Sequence, residues 1–287
     1  MSLPSQIETA IKLLQSGQVV AIPTETVYGL AADATDDIAV AKIYELKQRP
    51  QFNPLIIHIY SIEQAEEIAV LSPAAKELAK KYWPGPLTIV APKRKKNFAL
   101  LASAGLETIA LRVPAHPIAR EILKSGLMLA APSANKSGSL SPTKAEHVKK
   151  DFADAYILDG GACEVGLEST IITFDEKDKP IILREGVLQI EGSRAKKDDK
   201  IIAPGMLLKH YSPKNALRIN ASNPNVDEVF IGFGEVGGDM NLSNTANLTE
   251  AAANLFAMLH EADLKNKKIS YLTFFSYKSL ENFFIIC

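Results

Sequence analysis

Three polar segments of this 287-residue chain, two of them directly after apolar runs and one at the end of a helical pattern, carry residue types able to hold an anion. The first is Pro23-Thr24-Glu25-Thr26-Val27-Tyr28-Gly29-Leu30, after Val19 to Ile22. Two hydroxyls and a carboxylate at a strand's end, before a glycine, sit where open α/β sheets place ligands; a polar turn uses the same residue types. The second runs from Lys47 to His58 and holds Lys47, Arg49, Pro50, Asn53 and Pro54. Lys47 and Arg49 point nearly opposite ways if the helix before them continues, but converge on one anion if the chain unwinds ahead of Pro50, as proline favours. Cations there also complement a helix dipole. The third is Ala131-Pro132-Ser133-Ala134-Asn135-Lys136-Ser137-Gly138, where Ser133 and Asn135 offer hydrogen bonds to a ligand or to their own turn. Arg112 and Arg184 lie in apolar strand patterns. A buried arginine requires an anionic partner, either an internal carboxylate or a ligand. With seven arginines against 25 lysines, three arginines at strand or loop junctions favour planar recognition of carboxylate or phosphate.

Other chemistries are excluded or weak. There is no G-x-x-x-x-G-K-[ST] run, so ATP is not expected on a P-loop. Gly232-Phe233-Gly234-Glu235-Val236-Gly237 matches G-x-G-x-x-G, but the next helical pattern starts about 12 residues later, so these glycines read as a loop. The five histidines show no metal-ligand spacing, and Cys163 and Cys287 form no C-x-x-C pair or disulfide framework. No protein-held metal is expected, and a reduced, cytoplasmic location fits. The net charge of −1 gives no global field for a nucleic-acid backbone; only Lys93-Arg94-Lys95-Lys96 is locally basic. The start lacks a signal-peptide pattern, and no apolar run reaches membrane-spanning length.

The elements that must position these residues alternate. A helix is expected from a Ser5/Glu8 capping box to Gly17, then a strand at 19–22 and a helix over 36–48 with Ile38, Ala41 and Leu46 facing inward. Strands are expected at 55–60, 87–92, 108–113, 127–131, 155–158, 169–174 and 181–185, and helices at 62–70, 73–82, 116–124 and 143–152. Charged residues 191–200 read as a linker or exposed loop. A smaller unit follows, with strands at 228–232 and 269–275 around a helix at 250–262. The class is α/β, with some neighbouring strands antiparallel.

Taken together, the segments resemble the Sua5/YrdC/YwlC family, the L-threonylcarbamoyladenylate synthases. The resemblance rests on Pro23 to Leu30, Lys47 with Arg49, Asn53-Pro54-Leu55 leading to His58, and Trp83-Pro84-Gly85-Pro86-Leu87-Thr88. It continues through Arg112-Val113-Pro114, Ser133 with Asn135, and Gly166 to Ile171. Ala203-Pro204-Gly205-Met206 with Lys209-His210-Tyr211-Ser212-Pro213 resembles the linker of the two-domain type. The fold this implies is a YrdC-like twisted mixed sheet flanked by helices, plus a smaller Rossmann-like C-terminal Sua5 domain. The implied division is a catalytic domain over 1–190, a linker closing over the active site over 191–215, and a Sua5 domain, short for its type, over 216–287.

The implied reaction joins L-threonine, bicarbonate and ATP into threonylcarbamoyl-AMP with release of pyrophosphate, for the t6A modification of tRNA. Mg²⁺ is expected with the ATP. The resemblance implies threonine contacts from Thr26, His58, Arg112, Ala131, Ser169 and Thr170. It implies ATP contacts from Arg49, Asn53, Thr108, Ser133, Ser141, Arg184 and Tyr211, and a catalytic group of Lys47, Arg49, Ser133 and Asn135. The product would pass to a t6A-transfer machinery, with direct tRNA binding weak or none and no membrane partner. Two other readings exist: an RNA-binding or ribosome-maturation module, and a relative of hydrogenase-maturation carbamoyltransferases.

Overall fold

The structure, a computed structural model, describes residues 2–50, 52–94, 98–195, 203 and 212–271. Helix α1 (Leu3–Gln15) starts ahead of the expected capping box. Ser2 is the N-cap and Pro4 occupies the first turn, where its fixed φ and missing N–H cost nothing. Strand β1 (Val20–Ile22) turns back into β2 (Gly29–Asp33), its antiparallel partner with Ala21 opposite Leu30. The sequence reading has no counterpart to β2, because its uniformly apolar Gly-Leu-Ala-Ala run shows no alternation.

Helix α2 (Asp37–Lys47) is capped by the Asp36 carboxylate, which accepts from the Ile38 and Ala39 N–H groups. Its inner face corrects the sequence reading. Ile38, Ala41 and Leu46 face solvent, and Val40, Ile43, Tyr44 and Lys47 face the core. The spacing is helical throughout, but the charge of Lys47 disguises the buried stripe. The chain leaves the helix through Gln48 in the left-handed region (φ 51°), so it does unwind before Pro50.

Then come β3 (Ile56–His58), α3 (Ile62–Ile68), α4 (Pro73–Tyr82), β4 (Leu87–Pro92), a 3₁₀ turn (Leu100–Ser103), β5 (Thr108–Arg112) and α5 (Pro117–Leu123). They are followed by β6 (Leu129–Ala130), α6 (Ala145–Asp151), β7 (Tyr156–Ile157), β8 (Thr170–Phe174), β9 (Pro180–Arg184) and β10 (Ser193–Arg194). Among the described residues these strands form one mixed sheet in the order β10-β9-β8-β4-β5-β3-β6-β2-β1-β7. β10 pairs with β9 in parallel, so the expected linker at 191 begins by extending the sheet.

Strand alternation decides what each face does. Ile57, Ile59, Ile89, Ala91, Ile109 and Leu111 pack with α2, α3 and α4 in the largest core cluster. The opposite face carries Ile56, Val90, Ala110 and Ile171, against which Ala203 is fully buried. His58 and Arg112 share that second face by period, and the register sets them side by side.

The C-terminal unit comprises β11 (Leu217–Arg218), β12 (Glu228–Gly232), β13 (Met240–Asn241), α7 (Leu248–Leu264) and β14 (Lys268–Tyr271). Its sheet, β11-β14-β12-β13, is parallel throughout. The glycine run after β12 folds on itself, with Phe233 and Val236 exchanging backbone hydrogen bonds. The core of this unit is shared with the first: Val27, Leu140 and Leu167 are buried with Leu255, Phe256 and Leu259 of α7. Residues 272–275 of the expected last strand, Lys95 and Lys96, and Tyr211 lie outside the described residues. Among the described residues no helix is long and apolar enough to cross a membrane.

Candidate functional site

Several strand ends meet at one rim of the large sheet. His58 closes β3, Arg112 closes β5, Thr170 opens β8 beside the start of β4, and Arg184 closes β9. A cavity of about 540 Å³, open to solvent, lies against them. Its walls include Thr24, Thr26, Arg49, His58, Arg112, Ser133, Ser169 and Arg184, with Glu168 the one carboxylate. Three guanidinium groups, against Glu168 in the wall and Glu25 behind Arg112, make a cleft suited to anions.

The loop between β1 and β2 is folded by Thr24. Its hydroxyl donates to the Val27 carbonyl at 2.6 Å and accepts from the Thr26 and Val27 N–H groups. Tyr28 locks the loop from behind: its hydroxyl donates to the Gly161 carbonyl at 2.8 Å and accepts from the Gly160 N–H. Thr26 is thereby fixed in the cavity wall with its own hydroxyl 2.9 Å from that of Thr24.

Both arginine questions raised by the sequence have the same answer. Arg112, 3% exposed, pairs with Glu25 at 2.5 Å and donates to the Gly85 carbonyl. Glu25 also accepts from the Ala115 N–H at 2.9 Å. Burial pushes the Glu25 carboxyl up, but the Arg112 charge and these hydrogen bonds outweigh it and hold it below its ordinary value. Arg184 pairs with Glu168 and donates to the Ser169 carbonyl at 2.9 Å and hydroxyl at 3.0 Å. Ser141 donates to the other Glu168 oxygen at 2.6 Å. Sequence reasoning noted the Glu25 carboxylate as a ligand-side group and not as the Arg112 partner, and it did not single out Glu168. Both stand inside quoted motifs, and the only available signal was the need of a buried arginine for a counter-ion.

Of the other expected site residues, Ala131 and Arg49 line the cavity, Arg49 with its guanidinium tied to the Asn53 and Pro54 carbonyls. Lys47 does not line it. Its ammonium, 1% exposed as a residue, is directed at the Ser133 and Asn135 carbonyls and holds that loop. Burial, and then Arg49, pulls Lys47 down to about 7. Asn53, Thr108, Asn135, Ser141 and Thr170 also stand outside the wall. Thr170 donates its hydroxyl to the Leu188 carbonyl at 3.0 Å. The Thr108 hydroxyl and the side-chain carbonyls of Asn53 and Asn135 are buried without partners among the described residues. Both ring nitrogens of His58 are likewise buried without partners. Such groups call for a polar ligand or water.

His58 is held neutral: burial, and then the nearby Arg112 charge, takes it down to about 3. Burial and the adjoining His260 take His147 to about 3 as well. An unfolded histidine titrates near pH 6.5. Between about pH 6.5 and 3 the unfolded chain therefore binds more protons, and stability falls as the pH falls. The urea midpoint is expected to drop as the pH falls from about 6.5 to 5, with His58→Gln flattening that part of the slope. A level midpoint across that range would contradict the assignment.

Among the described residues no group of three or more His, Cys, Asp or Glu could hold a metal ion. A family model described as "Telomere recombination" (Sua5_yciO_yrdC) matches residues 12–186, and one described as "Threonylcarbamoyl-AMP synthase, C-terminal domain" (Sua5_C) matches residues 171–281. A "Threonylcarbamoyl-AMP synthase" of Bacillus subtilis is 44% identical over 235 residues, covering 76% of this chain and 68% of the relative. One of Pyrococcus abyssi is 39% identical, covering 90% and 85%. The crystal structure of P. abyssi Sua5 complexed with L-threonine superposes with a TM-score of 0.84 at 38% identity, over 93% of this chain and 88% of that one. HypF of T. kodakarensis, at 22% identity and a TM-score of 0.55 over 63% of this chain and 24% of that one, shares the fold alone.

Proposed function

The chain belongs to the Sua5/YciO/YrdC family, and from that premise we propose that it joins L-threonine, bicarbonate and ATP into L-threonylcarbamoyl-AMP, releasing pyrophosphate and water. The observation that carries this reading is one cleft walled by Arg49, Arg112 and Arg184 together with the unpartnered ring of His58 and the Thr26 hydroxyl. All three substrates are anionic or carry a carboxylate, and none of them needs a protein nucleophile.

Arg112 would take the threonine carboxylate, since its Glu25 and Gly85 contacts use two of its five donors. Thr26, His58 and Ser169 would surround the amine and hydroxyl end, where the neutral imidazole can accept a hydrogen bond. The amine attacks bicarbonate to give a carbamate and water. A carbamate oxygen then attacks the α-phosphorus, and pyrophosphate leaves. Arg49, Arg184 and the Ser133 loop held by Lys47 would bear the phosphates, with Asn53, Thr108, Asn135 and Ser141 behind them. Positioning and charge stabilisation account for the rate.

ATP would enter as its Mg²⁺ complex. The single wall carboxylate, Glu168, is engaged by Arg184 and Ser141, and among the described residues no cluster could take the ion, so the phosphates would carry it. Two described residues of the linker reach back to the first unit: Ala203 packs against Ile56 and Ile171, and Ser212 donates its N–H to the Gly138 carbonyl at 3.0 Å. Tyr211, which lies outside the described residues, is inferred from the family resemblance to cover the nucleotide and exclude water from a labile mixed anhydride. Such a product would serve t6A formation on tRNA in the cytoplasm, with transfer by other proteins. The test is incubation with ATP, threonine and ¹³C-bicarbonate, followed by mass spectrometry. A labelled threonylcarbamoyl nucleotide is expected; ATP recovered intact would overturn the reading.

A further inference from the structure

Helix α7 of the C-terminal unit packs behind the cleft, and three observations say what it does there. Gly166, in the left-handed region at φ +69°, lets the chain before Glu168 approach α7 so closely that a Cβ would lie 2.4 Å from the Ala253 carbonyl oxygen. Val27, Leu140 and Leu167, each next to a residue assigned to the site or to its arginine pairs, are buried in the α7 core. His260 of α7 lies 3.1 Å from the Ser141 carbonyl through Nε2. A carbonyl only accepts, so His260 is the donor.

The segment 141–143 is gripped at every residue. His260 holds the Ser141 carbonyl. The Tyr28 N–H donates to the Pro142 carbonyl at 2.8 Å. The Thr143 N–H donates to His147 Nδ1 at 3.2 Å. The His147 and His260 rings stack with centroids 4.0 Å apart and planes inclined by 23°, which fixes the orientation of the donor. From Ser141 the contacts run into the cavity: its hydroxyl donates to Glu168, and Glu168 pairs with Arg184.

We propose that His260, although outside the catalytic domain, is a positioning residue for the nucleotide side of the cleft, acting through Ser141 and Glu168 on Arg184. The proposal rests on the reading of that side as the ATP site. The C-terminal unit thereby completes the site, and α7 is its outer brace.

Calorimetric titration of the full chain with ATP, and separately with L-threonine, tests this. His260→Ala is expected to weaken ATP about five- to tenfold and leave threonine within about twofold. His260→Gln, whose side-chain N–H can reach the same carbonyl, is expected to recover most of the loss. Unchanged ATP affinity in His260→Ala overturns the proposal. Equal loss of both ligands without recovery by glutamine also overturns it, because that marks a loosened interface and not a positioned nucleotide. Wild-type protein that binds threonine but no ATP would overturn the reading of the cleft, and this proposal with it.

Discussion

Arg112→Ala is expected to lower kcat/KM for threonine by about a hundredfold or more while ATP affinity stays within about threefold. The guanidinium is buried on the cavity face beside His58 and is fixed by Glu25 and the Gly85 carbonyl. It is thus preorganised for a carboxylate, with no rotamer entropy left to lose on binding. Removing it also strands Glu25, which is 5% exposed. An uncompensated buried carboxylate costs about 3–5 kcal/mol, so the variant will be less stable as well as inactive. The Arg112→Ala/Glu25→Gln pair separates the two effects: stability should return in large part, and threonine use should not. Steady-state kinetics on each substrate with urea melts checks both. A double variant that regains threonine turnover would show that Arg112 acts only as a structural partner of Glu25.

Arg184→Ala is expected to act on the other substrate, weakening ATP by about a hundredfold and leaving threonine binding within about threefold. Arg184 ties the end of β9 to Glu168 and to the backbone and hydroxyl of Ser169. Its loss removes a phosphate-facing charge and frees the Glu168 carboxylate inside an anion site. Arg184→Lys should recover little, because a point charge on a flexible stem cannot replace the planar fork that grips both partners. Equilibrium titration with each ligand reads this directly. Equal loss of threonine and ATP would mean that the cleft is not divided between them.

The sequence carries the site more clearly than the scaffold. The three polar segments and the two strand arginines reach the cleft or support it, and the basic residues Lys93 and Arg94 do not: Thr26, Arg49, His58, Arg112, Ala131, Ser133, Ser169 and Arg184 line the cavity, and Lys47 and Ser141 stand one contact behind. This was legible because polar residues directly after apolar strands are conspicuous. Several strand positions were legible for the same reason, and β4 and β12 fall where the apolar runs lie.

What stayed hidden depended on three-dimensional partnership. Glu25 and Arg112 cannot be paired from spacing because they lie far apart in the chain, and Glu168 and Arg184 cannot because their meeting depends on the register of the β8–β9 pair, which shifts between Ile171 and Ile172. The inner face of α2 was misread because its buried stripe ends in Lys47, whose charge is satisfied by two carbonyls of a distant loop. Strand β2 was missed because it is apolar on both faces. The contact between α7 and the cleft has no local signature beyond Gly166 and a single histidine.

Coupling of three substrates in one cleft is read most directly by pyrophosphate release from ATP with each substrate left out in turn. Release is expected only when L-threonine and bicarbonate are both present, with serine a poor replacement. Equal release with serine, or without bicarbonate, would contradict it.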